Sequence, residues 1–161
     1  MVRLLLLVAL LVFLLDQGSK WVVLHAVMVP PRVIEVTGFF NLVLAYNRGV
    51  SFGFLAAESA WGAYILAAAA GLIAAGVLLW GRRQRRRLPT VAAGMVVGGA
   101  LGNVFDRLYH GAVVDFLDFH VLGWHWPAFN VADSGIVVGV ALVVLDGLFR
   151  GSGTQDRQER S

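Results

Sequence analysis

The order of apolar and polar residues divides the chain into four long apolar segments, which are separated by polar or mixed segments. Each is long enough for a helix that crosses the hydrocarbon core of a membrane, which takes about 20 residues. In the second segment, Trp61 and Trp80 would lie about 28 Å apart along a helix, so each would reach a membrane interface. The pattern predicts four transmembrane helices, at about residues 3–29, 61–80, 88–108 and 131–149.

The first segment could instead be the core of a cleaved signal peptide, since Arg3 supplies a positive charge before the apolar run from Leu4 to Leu15. The residues that follow argue against this alternative. DQGSK (16–20) is not a small-residue cleavage site, and WVVLHAVMV then continues the apolar pattern up to Pro30, where a helix must end. We therefore expect a retained span with a polar interruption.

The composition agrees with a membrane protein. Hydrophobic residues make up 58% of the chain and charged residues only 14%, which excludes an ordinary soluble domain. The 161 residues leave room for one compact bundle, so we predict a single integral membrane domain over residues 1–150. The polar tail, residues 151–161, is predicted to be disordered and cytoplasmic. Because the chain has no cysteine, disulfides and thiol nucleophiles are excluded.

The positive charge is concentrated in one loop, GRRQRRR (81–87), between the second and third spans. One basic loop is poorly explained by nucleic-acid binding, and the positive-inside rule places it in the cytoplasm together with both termini. Residues 30–59 and 109–129 are then two outer segments. The first contains VIEVTGFFNLVLAY followed by the turn-forming NRGVSFGF, which predicts a small sheet. The expected fold is an all-α membrane protein, a four-transmembrane-helix bundle with a small extracytoplasmic β-sheet.

Two aspartates occur where acids are disfavoured. Asp115 lies between valine and phenylalanine in GAVVDF, and Asp133 lies at the start of the fourth span in FNVADSGIVV. A carboxylate that leaves water without a partner costs several kcal/mol or more. The predicted orientation puts both at the outer membrane surface. Two carboxylates beside one water can hydrolyse an amide, because one takes the water's proton while the other, kept protonated by mutual repulsion, donates to the substrate.

Polar and small residues also recur inside the third span. Spacings of three and four residues predict one shared polar face, formed by Gly99, Asn103, Asp106, Arg107 and His110. A second repeat consists of Gly94, Gly98 and Gly102, and it predicts close packing of a neighbouring helix rather than nucleotide binding.

Two acid–base pairs have the spacing of an intrahelical ion pair. Asp16 and Lys20 lie four residues apart in the first span, with the acid on the N-terminal side. Asp146 and Arg150 repeat this spacing at the cytoplasmic end of the fourth span, where long side chains reach the interface easily. We assign Asp146 no catalytic role.

Three other chemistries remain open from the residues alone. A small transporter or proton channel could relay protons through Asp16 and Asp133. A serine peptidase could use Ser51 or Ser134 with an outer histidine, for which the candidates are His110, His120 and His125. A metal site could be built from Asp118, His120 and His125, although histidines between aromatic residues are more often packing or surface residues.

Five short motifs together resemble the lipoprotein signal peptidases, or signal peptidase II. They occur in the same order and spacing over roughly residues 10–140: DQGSK (16–20), NRGVSFGF (47–54), GGALGNVFDR (98–107), GAVVDF (111–116) and FNVAD (129–133). Each motif would be weak by itself, whereas the set is specific, and no motif position departs from the family's pattern.

The resemblance implies an aspartyl endopeptidase of the bacterial inner membrane, which removes the signal peptide from diacylglyceryl-modified prolipoproteins just before the lipid-bearing cysteine. Asp115 and Asp133 match the family's catalytic pair. The positions that match its substrate-binding residues are Asp16, Lys20, Asn47, Asn103, Arg107 and Asn130. Asp106 is left as a supporting residue. The implied partners are the lipid-modified substrate and membrane lipid, with a monomeric bundle and no metal, other cofactor or nucleic acid.

Overall fold

Four long helices form the frame of the molecule in the computed structural model, which describes residues 1–49 and 61–158 and the side chains up to residue 149. They are α1 (Val2–Val22), α2 (Trp61–Arg82), α3 (Arg87–His110) and α4 (Val131–Gln158). All four contain a stretch long and apolar enough to cross a membrane. The predicted four-helix bundle is confirmed, because each apolar run has formed one continuous helix.

The C-terminal end of the first span differs slightly from the helix that its apolar pattern predicts. Helix α1 passes into a short π-helical turn, Val23–Val27, in which the N–H of Met28 donates to the carbonyl of Val23 at 2.9 Å. This turn directs Val23 and Met28 against Phe116, and the three side chains form a buried apolar cluster. The end of the first span is thereby fixed to the outer part of the molecule.

The C-terminal end of α4 corrects one prediction. The apolar stretch that can span a membrane ends at Phe149, but the helix continues through Gln158 into residues that are predicted to form a disordered tail. Once a helix exists, each added residue gains a hydrogen bond without a new nucleation cost, so a polar sequence can extend it. Residues 150–158 are therefore helical, beyond the apolar stretch Val131–Phe149.

A four-stranded antiparallel sheet caps one end of the bundle. Its strands lie in the order β1 (Ile34–Thr37), β2 (Phe40–Asn47), β3 (Val113–Val121) and β4 (Trp124–His125). The sheet predicted in the first outer segment is confirmed as β1 and β2, and the second segment contributes β3 and β4 as well. Since β2 pairs with β3, the sheet joins the two outer segments.

The glycine repeat in α3 forms its contact with α1, as predicted. A methyl group added at Gly94 would lie 2.7 Å from the carbonyl oxygen of Leu5, and one at Gly98 would overlap the backbone of Ala9. At Gly102 the same methyl group would lie 2.5 Å from Oδ2 of Asp16. Only glycine permits this close approach, so the repeat sets the distance between the two helices.

Candidate active site

The two aspartates of interest lie on different elements that meet between the bundle and the sheet. Helix α3 ends at Gly111, whose φ of 71° lets the chain turn away from the helix and enter β3. Asp115 is the third residue of β3 and is buried, with 2% of its surface exposed. Asp133 lies in the first turn of α4, where a carboxylate is stabilised by the helix N-terminus.

Asn130 and Asn103 connect the two aspartates. The side-chain amide of Asn130 donates to Oδ1 of Asp115 at 2.7 Å, and that of Asn103 donates to Oδ1 of Asp133 at 2.7 Å. Asn130 also donates to Oδ1 of Asn103 at 3.2 Å, and its own Oδ1 accepts from the N–H of Asp133 at 2.9 Å. One continuous hydrogen-bonded chain therefore runs from carboxylate to carboxylate.

The electrostatic environment separates Asp115 from an ordinary carboxyl. Burial, followed by the charge of Asp133, raises the pKa of Asp115 from 3.8 to about 6. Hydrogen bonds from Asn47 and Asn130 and the charge of Lys20 oppose this rise without cancelling it. Asp115 therefore holds a proton more readily than an aspartate in water, and this property suits it to share one proton with Asp133.

Asn47 and Arg107 lie at the edge of this pair. Asn47 ends β2, pairs with Val113 of β3, and places its side chain against Asp115. Arg107 donates from Nη1 to the carbonyl of Asn103 at 3.2 Å, and its charge interacts with both aspartates. The Nε–H of Arg107 is buried and has no partner in the part of the chain that the structure describes. A donor is thus available beside the carboxylates.

Asp16 and Lys20 form the predicted ion pair, at 2.7 Å between Nζ and Oδ2, but both side chains are buried in contact with α3. Lys20 makes a second ion pair with Asp106, at 2.8 Å. Gln17, which the sequence reasoning did not single out, donates to both Asp16 and Asp106 at 3.0 and 2.9 Å. Its position inside the DQGSK motif was the available signal. Lys20 also donates to Oδ1 of Asn103 at 3.4 Å, so the cluster adjoins the asparagine that binds Asp133.

The predicted polar face of α3 is only partly formed. Asn103 and Asp106 are buried, whereas His110 at the helix end is exposed and stacks edge-on against Tyr109. The side chain of Arg150 lies outside the described residues. Asp146 accepts two hydrogen bonds from Arg86, the residue just before α3, at 2.8 and 2.9 Å. This ion pair is at the end of the bundle opposite the sheet.

The residues proposed for a metal site contact one another and Asn41. Asp118 accepts from Nδ1 of His125 at 2.9 Å and from Asn41 at 3.0 Å, while His120 stacks on His125. Burial raises the pKa of Asp118, but these hydrogen bonds outweigh it and hold the pKa below its usual value. No group of three potential metal ligands occurs among residues 1–49 and 61–149.

The serine candidates provide no nucleophile–histidine pair in the described part of the chain. The hydroxyl of Ser134 donates to the carbonyl of Asn130 at 3.0 Å, as a residue near a helix start commonly does. Ser51 lies outside the described residues, as does most of NRGVSFGF, of which only 47–49 are described. Among the described residues, Asp115 and Asp133 therefore remain the candidate pair.

Comparison with known proteins gives the same picture over nearly the whole chain. The family described as signal peptidase (SPase) II matches residues 8–149. The lipoprotein signal peptidase of Paraburkholderia phytofirmans is 48% identical over 150 residues, which cover 92% of this chain and 86% of that protein. The enzyme of the same name from Aeromonas hydrophila is 47% identical over 92% of this chain and 89% of its own length.

Solved structures agree with the fold. A structure described as a bacterial membrane enzyme superposes with a TM-score of 0.78 at 28% identity, covering 92% of this chain and 90% of the other. A second structure with that description has a TM-score of 0.75 at 29% identity, covering 89% and 92%. The bundle and its sheet are therefore shared with these membrane proteins.

Proposed function

This chain belongs to the signal peptidase II family and is an aspartic-type peptidase that removes the signal peptide from prolipoproteins, and we propose that Asp115 and Asp133 are its catalytic pair. The observation that carries the assignment is the hydrogen-bonded chain through Asn130 and Asn103, which joins two carboxylates from different elements. Cleavage occurs just before the lipid-bearing cysteine of the substrate.

The reaction follows from the unequal environments of the two acids. Asp115, whose pKa is raised to about 6, holds the shared proton, and ionised Asp133 takes a proton from the attacking water. The water oxygen bonds to the scissile carbonyl carbon as Asp115 donates its proton to the carbonyl oxygen. The C–N bond then breaks, Asp133 returns the proton to the leaving amine, and Asp115 regains its own. A bound substrate excludes water and so favours the protonated form of Asp115 further.

The residues around the pair supply donors for the substrate. The unpartnered Nε–H of Arg107 is positioned to bind a peptide carbonyl or the polar part of the substrate's lipid, groups that find no other partner in hydrocarbon. Asn47, Asn103 and Asn130 orient the carboxylates, and Asn47 is the most exposed of them. Trp124 and Trp126 anchor the second outer segment at the interface.

The location of the site suits a substrate that is itself embedded in the membrane. Asp115 and Asp133 lie where the C-terminal end of α3 and the N-terminal end of α4 meet the sheet, and thus at one end of two spans. The chain is a multi-pass bacterial membrane protein. The arginine loop 81–87 lies at the opposite end, so the positive-inside rule puts both termini in the cytoplasm and the site at the outer face of the inner membrane. We infer that the protein acts as a monomer.

The test is cleavage of a lipidated prolipoprotein by the purified protein in detergent. Wild type should release the shortened product, whereas Asp115→Asn and Asp133→Asn should lower turnover by at least about a hundredfold while keeping the thermal unfolding temperature. An amide has nearly the shape of a carboxyl group but cannot carry the proton. Near wild-type turnover by either variant would show that the pair is not catalytic.

Two control arms distinguish the rival chemistries and the substrate. The same prolipoprotein without its lipid should be a poor substrate, because the acyl chains position the scissile bond. Activity should persist in excess chelator and in Ser134→Ala. Loss in chelator that zinc restores would support the site of Asp118, His120 and His125 instead, and equal turnover without the lipid would indicate a general membrane peptidase.

A further inference from the structure

Three buried charged side chains that the proposed reaction does not use form one cluster between α1 and α3. Lys20 lies 2.7 Å from Oδ2 of Asp16 and 2.8 Å from Oδ2 of Asp106, and no more than 3% of any of the three is exposed. Burying charges costs free energy even when they are paired, and apolar residues would often serve stability equally well. The cluster therefore calls for a role beyond holding two helices together.

Each carboxylate of the cluster also binds a backbone N–H group from another element. Oδ1 of Asp16 accepts from the N–H of Ala132 at 2.8 Å, and Oδ2 of Asp106 accepts from the N–H of Val114 at 3.0 Å. Ala132 directly precedes Asp133, and Val114 directly precedes Asp115. The two acids that Lys20 joins thus hold the backbone N–H groups of the residues just before the two catalytic aspartates.

We propose that Lys20 is a positioning residue, which fixes the spacing of Asp115 and Asp133 by joining the two carboxylates, Asp16 and Asp106, that bind the backbone just before them. This inference rests on the proposed catalytic pair. It gives Asp16 and Lys20 an indirect role, through the backbone next to the two aspartates. This role replaces the direct substrate contact that the family resemblance implies.

The cluster is suited to this role because it connects four separate elements at one point. Asp16 and Lys20 come from α1, Asp106 from α3, the Val114 N–H from β3 and the Ala132 N–H from α4. A charge-assisted hydrogen bond is shorter and stronger than a neutral one, so each acid restrains its peptide group firmly. A displacement of about 1 Å in a catalytic group can lower the rate about a hundredfold, so small shifts here should reach the chemistry.

The close approach of α1 and α3 also restrains the positions of the side chains in this cluster. Gly102 faces the carboxylate of Asp16, and a methyl group there would lie 2.5 Å from Oδ2. Gln17 completes the cluster by donating to both acids and to the carbonyl of Gly102, at 3.3 Å. The acids therefore have little freedom to move apart while Lys20 remains between them.

Lys20→Met is the first test, since methionine keeps most of the side-chain length and removes the charge. In the lipidated-substrate assay kcat should fall at least about tenfold, with KM within about twofold of wild type, because the bound substrate is unaffected while the carboxylates are misplaced. A kcat within about twofold of wild type would overturn the proposal.

Asp106 provides a second test that does not depend on Lys20→Met folding. Asp106→Asn and Asp106→Ala both remove the charge that pairs with Lys20, but asparagine keeps an oxygen that can accept from the Val114 N–H, and Gln17 can turn its amide to match. We expect kcat to fall substantially more in Asp106→Ala than in Asp106→Asn. Equal losses would mean that charge alone matters, which would contradict the positioning role.

Leu5→Ala is the matched control for loss of stability. Leu5 is fully buried on α1, the helix that carries Lys20, at the end away from the site. It packs there against Gly81 and Gly94. It should lower the unfolding temperature without lowering kcat. A similar kcat loss in Leu5→Ala would reduce the cluster to a structural role. A fully active Asp115→Asn would contradict the proposed function. A normal kcat in Lys20→Met together with an inactive Asp115→Asn would contradict only the positioning role of Lys20.

Discussion

Replacing Asp133 with asparagine should lower the pKa of Asp115, and this change can be measured without any turnover. In the wild-type site burial, and after it the negative charge of Asp133, raises that pKa from 3.8 to about 6. At about 1.36 kcal/mol for each pKa unit, the ionised form is disfavoured by at most about 3 kcal/mol, and water around the partly buried Asp133 screens part of this. In Asp133→Asn the charge is gone while burial remains, so the pKa should fall below 6 but stay above 3.8.

Infrared titration of the protonated carboxyl band in detergent gives the measurement, with the band assigned by its loss in Asp115→Asn. Asp146→Asn is the matched control, because it removes a carboxylate near the far end of the fourth span and should leave the titration unchanged. The raised pKa of Asp115 also predicts the pH dependence of the wild type. Asp115 loses its proton as pH rises through about 6, so kcat/KM of the free enzyme should decrease there. A pKa that stays near 6 or rises in Asp133→Asn would refute electrostatic coupling between the two acids.

Two further predictions concern the arginines and the helix contact. Arg107→Ala should reduce kcat/KM at least about tenfold by removing donors beside the catalytic pair, whereas Arg85→Ala in the basic loop should leave it within about twofold; equal losses would point to folding or topology instead. Gly98→Val should lower the unfolding temperature, because its side chain would overlap the backbone of Ala9, and an unchanged melting curve would show that α1 and α3 can separate freely.

The parts of the fold that depend on local sequence were predictable. Trp61 and Trp80 indicated the ends of the second span. An apolar run of sufficient length can form a membrane helix without contacts from elsewhere in the chain. β3 was not predicted, since its nine residues form a strand by pairing with β2, about seventy positions earlier in the chain. Asp115 was therefore recognised as an unusual acid without its position on a strand.

In the site, too, local features were predictable and contacts between distant elements were not. The spacing of Asp16 and Lys20 indicates an ion pair because both lie on one helix, and the structure contains it. The third member, Asp106, comes from another helix, and the backbone groups held by the two acids come from two more elements. The family motifs brought Asn103 and Asn130 into the candidate site, whereas the hydrogen bonds through which they join Asp115 and Asp133 required the fold.

The central helix has a consequence for how the protein assembles during synthesis. About 67% of the apolar core of α3 is buried, against 17–22% in the other three helices, and its mean hydropathy of 1.5 is the lowest of the four. Helices α1 and α2, which are made first, touch each other little and meet mainly through α3. Before α3 is inserted, α1 and α2 therefore lie in the lipid as separate helices. Helix α3, the least apolar of the four, then enters a membrane where partners for its glycines and acids are already present.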